Sequence, residues 1–395
     1  MKAFVPLIAP ALFVLSPGVL AQGESPVTRM GSDWVQTATG SIPICAGCRL
    51  RVNTEGNLVI RGQADTENVQ FSLRKRVRAA SAREAAMLLR SFEIRGSARG
   101  DLLTLTLVIP RSRAQGAELS LVVPRALRQS VVASHGGGDV QASDLKGEFA
   151  AETVAGRVAL ERLGSNVTIK TGGGEIRLGR IAGGVRCYSG GGGIQAESCG
   201  RESWFETAGG DIHVREALGP LHATTAGGNI RVDRSEGEVF AHTNGGVIEV
   251  QQADGLVTAE TSGGAIQVGA ARGVRCESTA GAIRLRNLGS GPLRASTAMG
   301  NILAELLSGA RIEDSLLSTN SGDITVLLAS NIPITVQASN GTAGNGRRIV
   351  SDFPEIRIRN AGATLPLVAE GMLHGGGPVL RIFASGGTIY LRREK

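Results

Sequence analysis

The sequence predicts an all-β protein, a single-stranded parallel β-solenoid preceded by a β-rich capping unit that contains one helix. Three observations support this fold class. Gly supplies 56 of the 395 residues, large aromatic residues are scarce at nine Phe, two Trp and two Tyr, and one motif recurs every 18 residues. With 42% hydrophobic residues, 19% charged residues and only 13 Pro, the composition excludes a disordered or collagen-like chain.

The first segment has the features of an exported protein. Lys2 provides a positive start, residues 3–15 are largely apolar, and Val19, Leu20 and Ala21 end the segment with a cleavable pattern. We therefore expect a signal peptide at 1–21, a mature chain that begins near Gln22, and a protein that is periplasmic, displayed on the cell surface or secreted. No later stretch of 18 apolar residues follows, so no membrane span is predicted.

Residues 22–44 are predicted to be a linker, and residues 45–130 a capping unit. Short strands are expected at 49–54, 57–62, 69–74, 102–110 and 117–124. A helix is expected after Ser81 and Glu84, which form a capping box, with Ala85, Leu89 and Phe92 on its apolar side. Such a unit would cover the unpaired strand edges at one end of a solenoid.

The cysteines are interpreted by compartment and position. Cys45 and Cys48 form a CAGC pair that lacks the following His of a haem attachment site, and no second CxxC completes a zinc site. In an oxidising compartment this pair predicts a local disulfide. Cys187, Cys199 and Cys276 fall at small core positions of the repeat, and a Cys187–Cys199 bridge remains open.

The repeat itself spans residues 131–330. TAGGDIHV at 207–214 is followed at steps of 18 by TAGGNIRV, TNGGVIEV and TSGGAIQV. Alternating apolar residues predict two short strands in each period, and the glycines predict tight turns. Each period would then form one coil that stacks on its neighbours at about 4.8 Å. One apolar position recurs through the chain at Val140, Val158, Ile176, Ile194, Ile212, Ile230, Ile248 and Ile266, and then with altered spacing at Ile283, Ile302 and Ile324.

The register of the repeat identifies the core. The inward positions of one coil are Ile212, Val214, Ala217, Leu221, Ala223 and Thr225. A left-handed hexapeptide helix would instead bury Asp254 and Glu260 without partners. We therefore expect a right-handed solenoid, in keeping with the common hand of parallel crossovers. Residues 331–395 are predicted to form irregular final coils, in which 331–378 break the period and 379–391 restore a strand pair.

A family resemblance follows from the order of these motifs. SLVVP at 120–124, the stacked T-x-G-G-x-I-x-V units, SDFP at 351–354 and GGGPVLRIFASGGTIYL at 375–391 are similar to bacterial DUF4097 proteins, which are described as adhesins. The resemblance implies a β-solenoid domain at the cell envelope. It implies no activity and no catalytic residues.

Motifs for catalysis are not supported by the sequence. HGGG at 135–138 resembles a lipase oxyanion loop, but no G-x-S-x-G elbow accompanies it, and its position is that of a repeat turn. The Gly clusters at 172–174 and 190–193 lead neither to Lys-Ser/Thr nor into a helix. We predict that the protein is not an enzyme and needs no cofactor or metal. The net charge of +7 arises from dispersed residues, so no nucleic-acid partner is expected either.

One surface feature predicts binding. Outward positions of the second strand align Arg186, Trp204, His222, Phe240, Thr258 and Arg275 in one row, and Tyr188, Glu206, Thr224, His242 and Glu260 in the next. The candidate partner-binding face consists of Arg186, Tyr188, Trp204, His222, Phe240 and His242. Exposed aromatic rows can hold sugar rings or a protein. The alternative is that these rings cover one another or pack under the C-terminal stretch.

Two functions remain open from the sequence. The first is an exported, non-catalytic binding or adhesion protein that presents a rigid repeat face to a glycan or an envelope protein. The second is a structural scaffold of the cell envelope that self-associates through the ends of its solenoid.

Overall fold

A computed structural model of the protein describes residues 22–45, 47–64, 66–109, 115–329, 331–341, 348–360 and 366–394. The expected signal peptide at 1–21 lies outside these residues. The chain divides into two compact units, Met1–Gly174 and Glu175–Lys395. Within the described part of the chain, no helix has the length and apolar character needed to cross a bilayer.

The N-terminal unit consists of parallel coils with antiparallel strands at one end. Its single described helix, α1 (Ala82–Leu89), begins at the predicted capping box, where Ser81 Oγ accepts the Glu84 amide and the Glu84 carboxylate accepts the Ala80 amide. Its strands are β1 (Gly23–Glu24), β2 (Thr28–Met30), β3 (Asp33–Pro43), β4 (Arg49–Thr54), β5 (Asn57–Gln63), β6 (Asn68–Val77), β7 (Glu93–Arg99), β8 (Leu102–Val108), β9 (Gln115–Pro124), β10 (Gln129–Ser134), β11 (Val140–Ser143), β12 (Glu148–Thr153), β13 (Val158–Glu161) and β14 (Val167–Thr171).

Two sheets form this unit. In sheet A the parallel strands follow the order β8–β4–β10–β12–β14, and in sheet B the order is β9–β5–β11–β13. The coil β8–β9 therefore lies outside β4–β5, although it follows it in sequence. Antiparallel β7 covers β8, and antiparallel β6 covers β9. The outermost parallel strands of the unit are thus paired on both sides, which removes two exposed edges.

The prediction that 22–44 form a linker is wrong. β3 pairs antiparallel with β6 along ten residues, from Trp34 opposite Val77 to Pro43 opposite Asn68. Its buried side chains are Val35, Ala38 and Ile42, whose spacing does not alternate strictly. This spacing, together with many Thr, Ser and Gln residues, hides the strand from a search for period-two patterns.

The C-terminal unit continues the repeat with two strands in each coil. Its strands are β15 (Ile176–Ile181), β16 (Val185–Ser189), β17 (Ile194–Cys199), β18 (Ser203–Thr207), β19 (Ile212–Ala217), β20 (Leu221–Thr225), β21 (Ile230–Ser235), β22 (Val239–Thr243), β23 (Ile248–Ala253), β24 (Leu256–Thr261), β25 (Ile266–Ala270), β26 (Gly273–Ser278), β27 (Ile283–Leu285), β28 (Ser290–Gly291), β29 (Leu293–Thr297), β30 (Ile302–Leu306), β31 (Arg311–Ile312), β32 (Ser315–Thr319), β33 (Ile324–Leu328), β34 (Ile334–Asn340), β35 (Arg348–Ser351), β36 (Arg357–Asn360), β37 (Leu367–Leu373), β38 (Val379–Ala384) and β39 (Thr388–Arg393).

The predicted register of the solenoid is confirmed. Ile194 lies opposite Ile212, and Ile212 opposite Ile230, in adjacent parallel strands of one sheet, here called sheet D. All six predicted inward residues, from Ile212 to Thr225, are buried. Sheet C is formed by the second strand of each coil, from β16 to β32 and then β38 and β34. No described contact defines the hand of the coil, and right-handedness stays a prediction.

In the regular coils of this unit, the turn between sheets depends on a buried hydroxyl. Thr243 Oγ1 donates to the Gly228 carbonyl of the preceding coil at 2.9 Å and accepts the Gly246 amide at 3.2 Å. Because the hydroxyl satisfies one donor and one acceptor inside the turn, no buried backbone group is left unpaired there. The equivalent hydroxyls belong to Thr207, Thr225, Thr261 and Ser278.

The final coils are more regular than the prediction for 331–395. Ile324 lies opposite Ile389 rather than opposite a residue of the next segment, because β38 and β39 insert between the coil β32–β33 and the coil β34–β35. Antiparallel β37 then pairs with β34, and β36 pairs with β37. The apparent break in the period is therefore a change in the order of the coils, which spacing along the sequence does not reveal.

Candidate functional site

The candidate site is the outer face of sheet C in the C-terminal unit. Residues alternate along each strand between the core and this face, so every strand contributes one side chain to each of two rows. Row one contains, in register, Arg186, Trp204, His222, Phe240, Thr258, Arg275, Arg294, Leu316 and Arg381. Row two contains Tyr188, Glu206, Thr224, His242, Glu260, Glu277, Ser296, Ser318 and Phe383.

The structure brings the predicted aromatic residues of row one into contact. The Trp204 and His222 rings are stacked, with centroids 3.7 Å apart and an interplanar angle of 3°. The Phe240 ring follows at 6.0 Å from His222 and is tilted by 40°. The Arg186 guanidinium lies over the other side of Trp204, 6.0 Å from the ring centroid.

This arrangement determines which part of each ring faces solvent. Stacking between neighbouring strands directs the ring faces along the stack of coils, and Trp204 has Arg186 on one face and His222 on the other. The outward surface therefore consists of ring edges, which carry partial positive charge. Sugar binding through stacking needs an open ring face, and His222 occupies one face of Trp204 while Arg186 lies near the ring.

The aromatic residues are exposed despite these mutual contacts. Solvent reaches 44% of Tyr188, 42% of Trp204 and 36% of Phe240. Within the described residues, the C-terminal stretch does not cover these side chains. That stretch instead supplies β38, which joins sheet C and extends the two rows with Arg381 and Phe383.

Seven row residues were missed by the sequence reasoning: Arg294, Leu316 and Arg381 in row one, and Glu277, Ser296, Ser318 and Phe383 in row two. Arg294 and Leu316 follow coils whose spacing departs from 18 residues, and Arg381 and Phe383 lie on the inserted strand β38. The LRAST segment at 293–297 and the SLLST segment at 315–319 resemble the earlier row strands, and aligning them by their final buried Thr would have placed Arg294 and Leu316. Nothing local in the sequence places β38 beside β32.

The charged side chains of this face differ in whether they form ion pairs. His222 Nε2 lies 3.5 Å from Glu202, and His242 Nδ1 lies 3.5 Å from Glu260. Arg275 and Arg294 lie side by side, are exposed, and form no ion pair with any described residue. The outer face of sheet D contrasts with this arrangement, since Arg231 there contacts both Asp233 and Glu249 at 2.9 Å.

The cysteines occupy two kinds of position. Cys45 and Cys48 form a disulfide, at the predicted place. Cys187, Cys199 and Cys276 are buried free thiols, so the bridge left open between Cys187 and Cys199 is not formed. Burial raises the pKa of Cys276 to about 12 and also raises the pKa of Cys187 and Cys199. These thiols stay protonated at neutral pH and have the properties of core residues.

Two other features were considered as sites. A concavity of about 660 Å³ lies beside the disulfide in the N-terminal unit, lined in part by Cys45, Glu67, Arg125 and Lys146. It is open to solvent and holds no buried charged side chain. Across the described ranges, no three His, Cys, Asp or Glu side chains are grouped so that they could hold a metal ion.

Comparison with known proteins gives weak similarities. A scan against family models and a search of curated proteins found no match to this chain. Among solved structures, similar ones include a putative cell adhesion protein from Clostridium sporogenes, at 9% identity and a TM-score of 0.18 over 91% of this chain and 100% of that one. Putative adhesins from Bacteroides fragilis and Parabacteroides merdae are 13% and 9% identical, with TM-scores of 0.22 and 0.29, each over 73% of this chain and 95% of its own. Similarity at this level does not establish what this chain does.

Proposed function

We propose that this chain is an exported, non-catalytic binding protein of the adhesin class, and that the outer face of sheet C is its binding face. The observation that carries the proposal is the exposed ladder of Arg186, Trp204, His222 and Phe240 on consecutive strands. Trp, Tyr and Arg are the residues enriched at the energetic centres of protein interfaces. A signal-like N-terminus and the resemblance to DUF4097 proteins support an envelope or extracellular location.

Rigidity supports the same proposal. Each strand of the face is hydrogen-bonded to a parallel neighbour on both sides along the middle of sheet C. In the regular coils, the buried hydroxyl of the turn fixes where the strand ends. Little conformational entropy is then lost when a partner docks, which is the advantage of a preorganised surface.

The geometry favours a protein partner over a glycan. One face of Trp204 is stacked on His222 and the Arg186 guanidinium lies 6.0 Å from the ring centroid, and the neighbouring Tyr188 and Phe240 are exposed side chains of the same sheet face. Flat surfaces that mix aromatic, Arg and Glu side chains suit protein partners. Small ligands usually need a concave site.

The alternative of an end-to-end scaffold receives less support. In the N-terminal unit, antiparallel β6 and β7 cover the outermost coil. In the C-terminal unit, antiparallel β37 covers β34 and is covered in turn by β36. Strand pairing between copies would have to use the short strands that remain at these edges.

The proposal is tested by adherence. Beads coated with residues 22–395 are compared with beads carrying Trp204→Ala together with Phe240→Ala, against cells of the organism that encodes the protein and against a glycan array. We expect wild-type beads to adhere to the cells and the double variant to lose at least ~10-fold of this adherence, since interface aromatics contribute about 2 kcal/mol or more.

A matched aromatic control lies on the other sheet. Tyr390→Ala on the outer face of sheet D removes a half-buried ring next to Arg392 and is expected to leave adherence unchanged. Equal adherence of the double variant and the wild type would refute the assignment of the binding face. Strong binding to one class of glycan that depends on Trp204 would show that the partner is a sugar.

A further inference from the structure

We infer that the partner of the sheet C face is the same face of a second copy of this chain, related by a two-fold axis parallel to the stack of coils. This inference rests on the proposed function, because it names the partner of that binding face. It would make the protein homophilic, so that copies hold to one another through their sheets rather than through their ends.

The first argument is that the face is complementary to itself. Row one carries Arg186, Arg275, Arg294 and Arg381 and no acidic residue, whereas row two carries Glu206, Glu260 and Glu277 and no Arg or Lys. A two-fold axis in this direction places row one of each copy opposite row two of the other. Each strand then lies opposite the same strand of the second copy. Row one of each copy, which carries the four Arg, then lies over row two of the other, which carries the three Glu, and Arg lies directly opposite Glu on β26.

The same operation pairs individual residues. Arg275 of one copy meets Glu277 of the other, because both lie on β26. At the two ends of the face, Arg186 meets Tyr188 on β16, and Arg381 meets Phe383 on β38. Arg over an aromatic ring is favourable, as is Arg beside a carboxylate. A two-fold along the strands, centred on Thr258, would instead set row one against row one and bring Arg294 near His222.

The second argument is the repulsion between like charges on neighbouring strands within a single copy. Arg275 lies directly beside Arg294, and Glu260 directly beside Glu277, on neighbouring strands. Like charges in register across a strand pair are destabilising. A facing row of opposite charge relieves both pairs at once. On sheet D, where Arg231 lies between two carboxylates, no such partner is needed.

The third argument is apolar exposure and area. Five exposed large hydrophobic side chains lie on this face: Tyr188 at 44%, Trp204 at 42%, Phe240 at 36%, Leu316 at 38% and Phe383 at 46%. Strands spaced at about 4.8 Å and about 16 Å long give the nine levels of the two rows an area of roughly 700 Å² per copy. That is close to the ~800 Å² that each partner buries in a standard protein interface.

An acidic polymer is the main competing partner for the arginines. It fits the face less well, because Glu206, Glu260 and Glu277 of row two lie beside row one and repel an acidic chain. The charges of both rows are used together only when the partner also carries a basic row beside an acidic row. A second copy meets this requirement without any further assumption.

A charge-swap series tests the inference. Sedimentation velocity of residues 22–395 is expected to show a dimer in the micromolar range. Arg275→Glu and Glu277→Arg are each expected to raise the dissociation constant at least ~10-fold, because each places like charges opposite one another twice in the dimer. The double variant carrying both changes restores opposite charges at these positions and is expected to regain most of the wild-type affinity.

The control is a charge reversal on the other sheet. Arg284→Glu, at an exposed position of sheet D on β27, makes the same change of net charge and is expected to leave the dimer unchanged. Thermal melting of every variant checks that each one is folded. A wild type that is still monomeric at about 100 μM, roughly 100-fold above the expected dissociation constant, overturns the inference. It is also overturned if the variant with both Arg275→Glu and Glu277→Arg has a dissociation constant as high as those of the single variants.

Failure of this inference is distinguishable from failure of the proposed function. If the wild type is monomeric but its adherence to cells still depends on Trp204 and Phe240, the partner is not a second copy, and the assignment of the binding face stands. A dimer whose Trp204→Ala, Phe240→Ala variant adheres as well as the wild type contradicts the binding face.

Discussion

At the scale of single residues, the regular coils of the repeat depend on one hydroxyl and one glycine in each turn. In the coil that contains Thr243, the Thr hydroxyl bridges two backbone groups, and the second glycine of the motif, Gly246, packs against the coil below. A Cβ atom on Gly246 would lie 1.9 Å from the Gly228 carbonyl oxygen. The first glycine, Gly245, has its nearest such contact at 3.7 Å. The two adjacent glycines therefore serve different purposes.

Substituting each of these glycines gives a matched pair. Gly246→Ala is expected to destabilise the protein by about 2–3 kcal/mol, because the methyl group forces two stacked turns apart. Gly245→Ala is expected to be neutral or to stabilise by up to ~1 kcal/mol, since it removes freedom from the unfolded chain without a clash. Urea denaturation followed by circular dichroism measures both. Similar stability of the two variants would show that the turns do not stack as described.

The same contacts explain a residue-level success of the sequence reasoning. The T-x-G-G motif predicted a tight turn, and the inward position of Thr225 was predicted from alternation alone. What alternation does not reveal is why this inward position is a hydroxyl residue. That reason lies in the preceding coil, whose Gly210 carbonyl accepts the hydrogen bond from the Thr225 hydroxyl.

At the scale of elements, the two ends of the described chain depart from sequential stacking in the same way. In the N-terminal unit, the coil β4–β5 lies between β8–β9 and β10–β11. In the C-terminal unit, the coil β38–β39 lies between β32–β33 and β34–β35. In both units a coil that is early or late in sequence is held by parallel strands on both of its sides.

This insertion gives an expectation for hydrogen exchange. Chain termini usually fray, and their amides then exchange quickly. Amides of β38 and β39 are instead expected to exchange as slowly as those of β32 and β33, because each of the inserted strands is hydrogen-bonded on two sides. Amides of β36, which pairs on one side only, are expected to exchange faster.

Exchange followed by mass spectrometry of peptic peptides compares these segments within one sample. Equally fast exchange in 379–393 and in 357–360 would contradict the insertion. The spacing break at 331–378 could not have predicted this result, since a break in a period is equally compatible with a loop, a cap or a coil that is passed over.

At the scale of the whole molecule, a repeat of fixed length means that one coil can be deleted and the coils on either side of it can still stack on each other. Deleting residues 230–247 removes one coil and joins Asn229 to Ile248, which occupy consecutive positions of the repeat. Strands β19 and β23, which both pair with β21 in the wild type, would then pair directly with each other. Stability in such arrays is close to a sum over repeats and their interfaces. We therefore expect a folded protein with a modestly lowered melting temperature.

Deleting half a coil is the control. Removing residues 230–238 alone joins a turn to the middle of a period and places sheet C residues where sheet D residues belong. Loss of the cooperative melting transition is expected, because register errors turn buried side chains outward. If both deletions melt alike, the coil is not the unit of the structure. Circular dichroism during heating measures both.

The sequence by itself determined the length of the coil, the inward and outward positions, the first six residues of row one and the first five of row two. It could do so because stacking neighbours 18 residues apart repeats the same local chemistry, and Ile212 and Ile230 experience the same surroundings. Only the tertiary structure decided that β3 is a strand, that β38 lies beside β32, and that Trp204 shows its edge to solvent. These features depend on contacts between segments that follow no common period, and no local pattern in the chain encodes them.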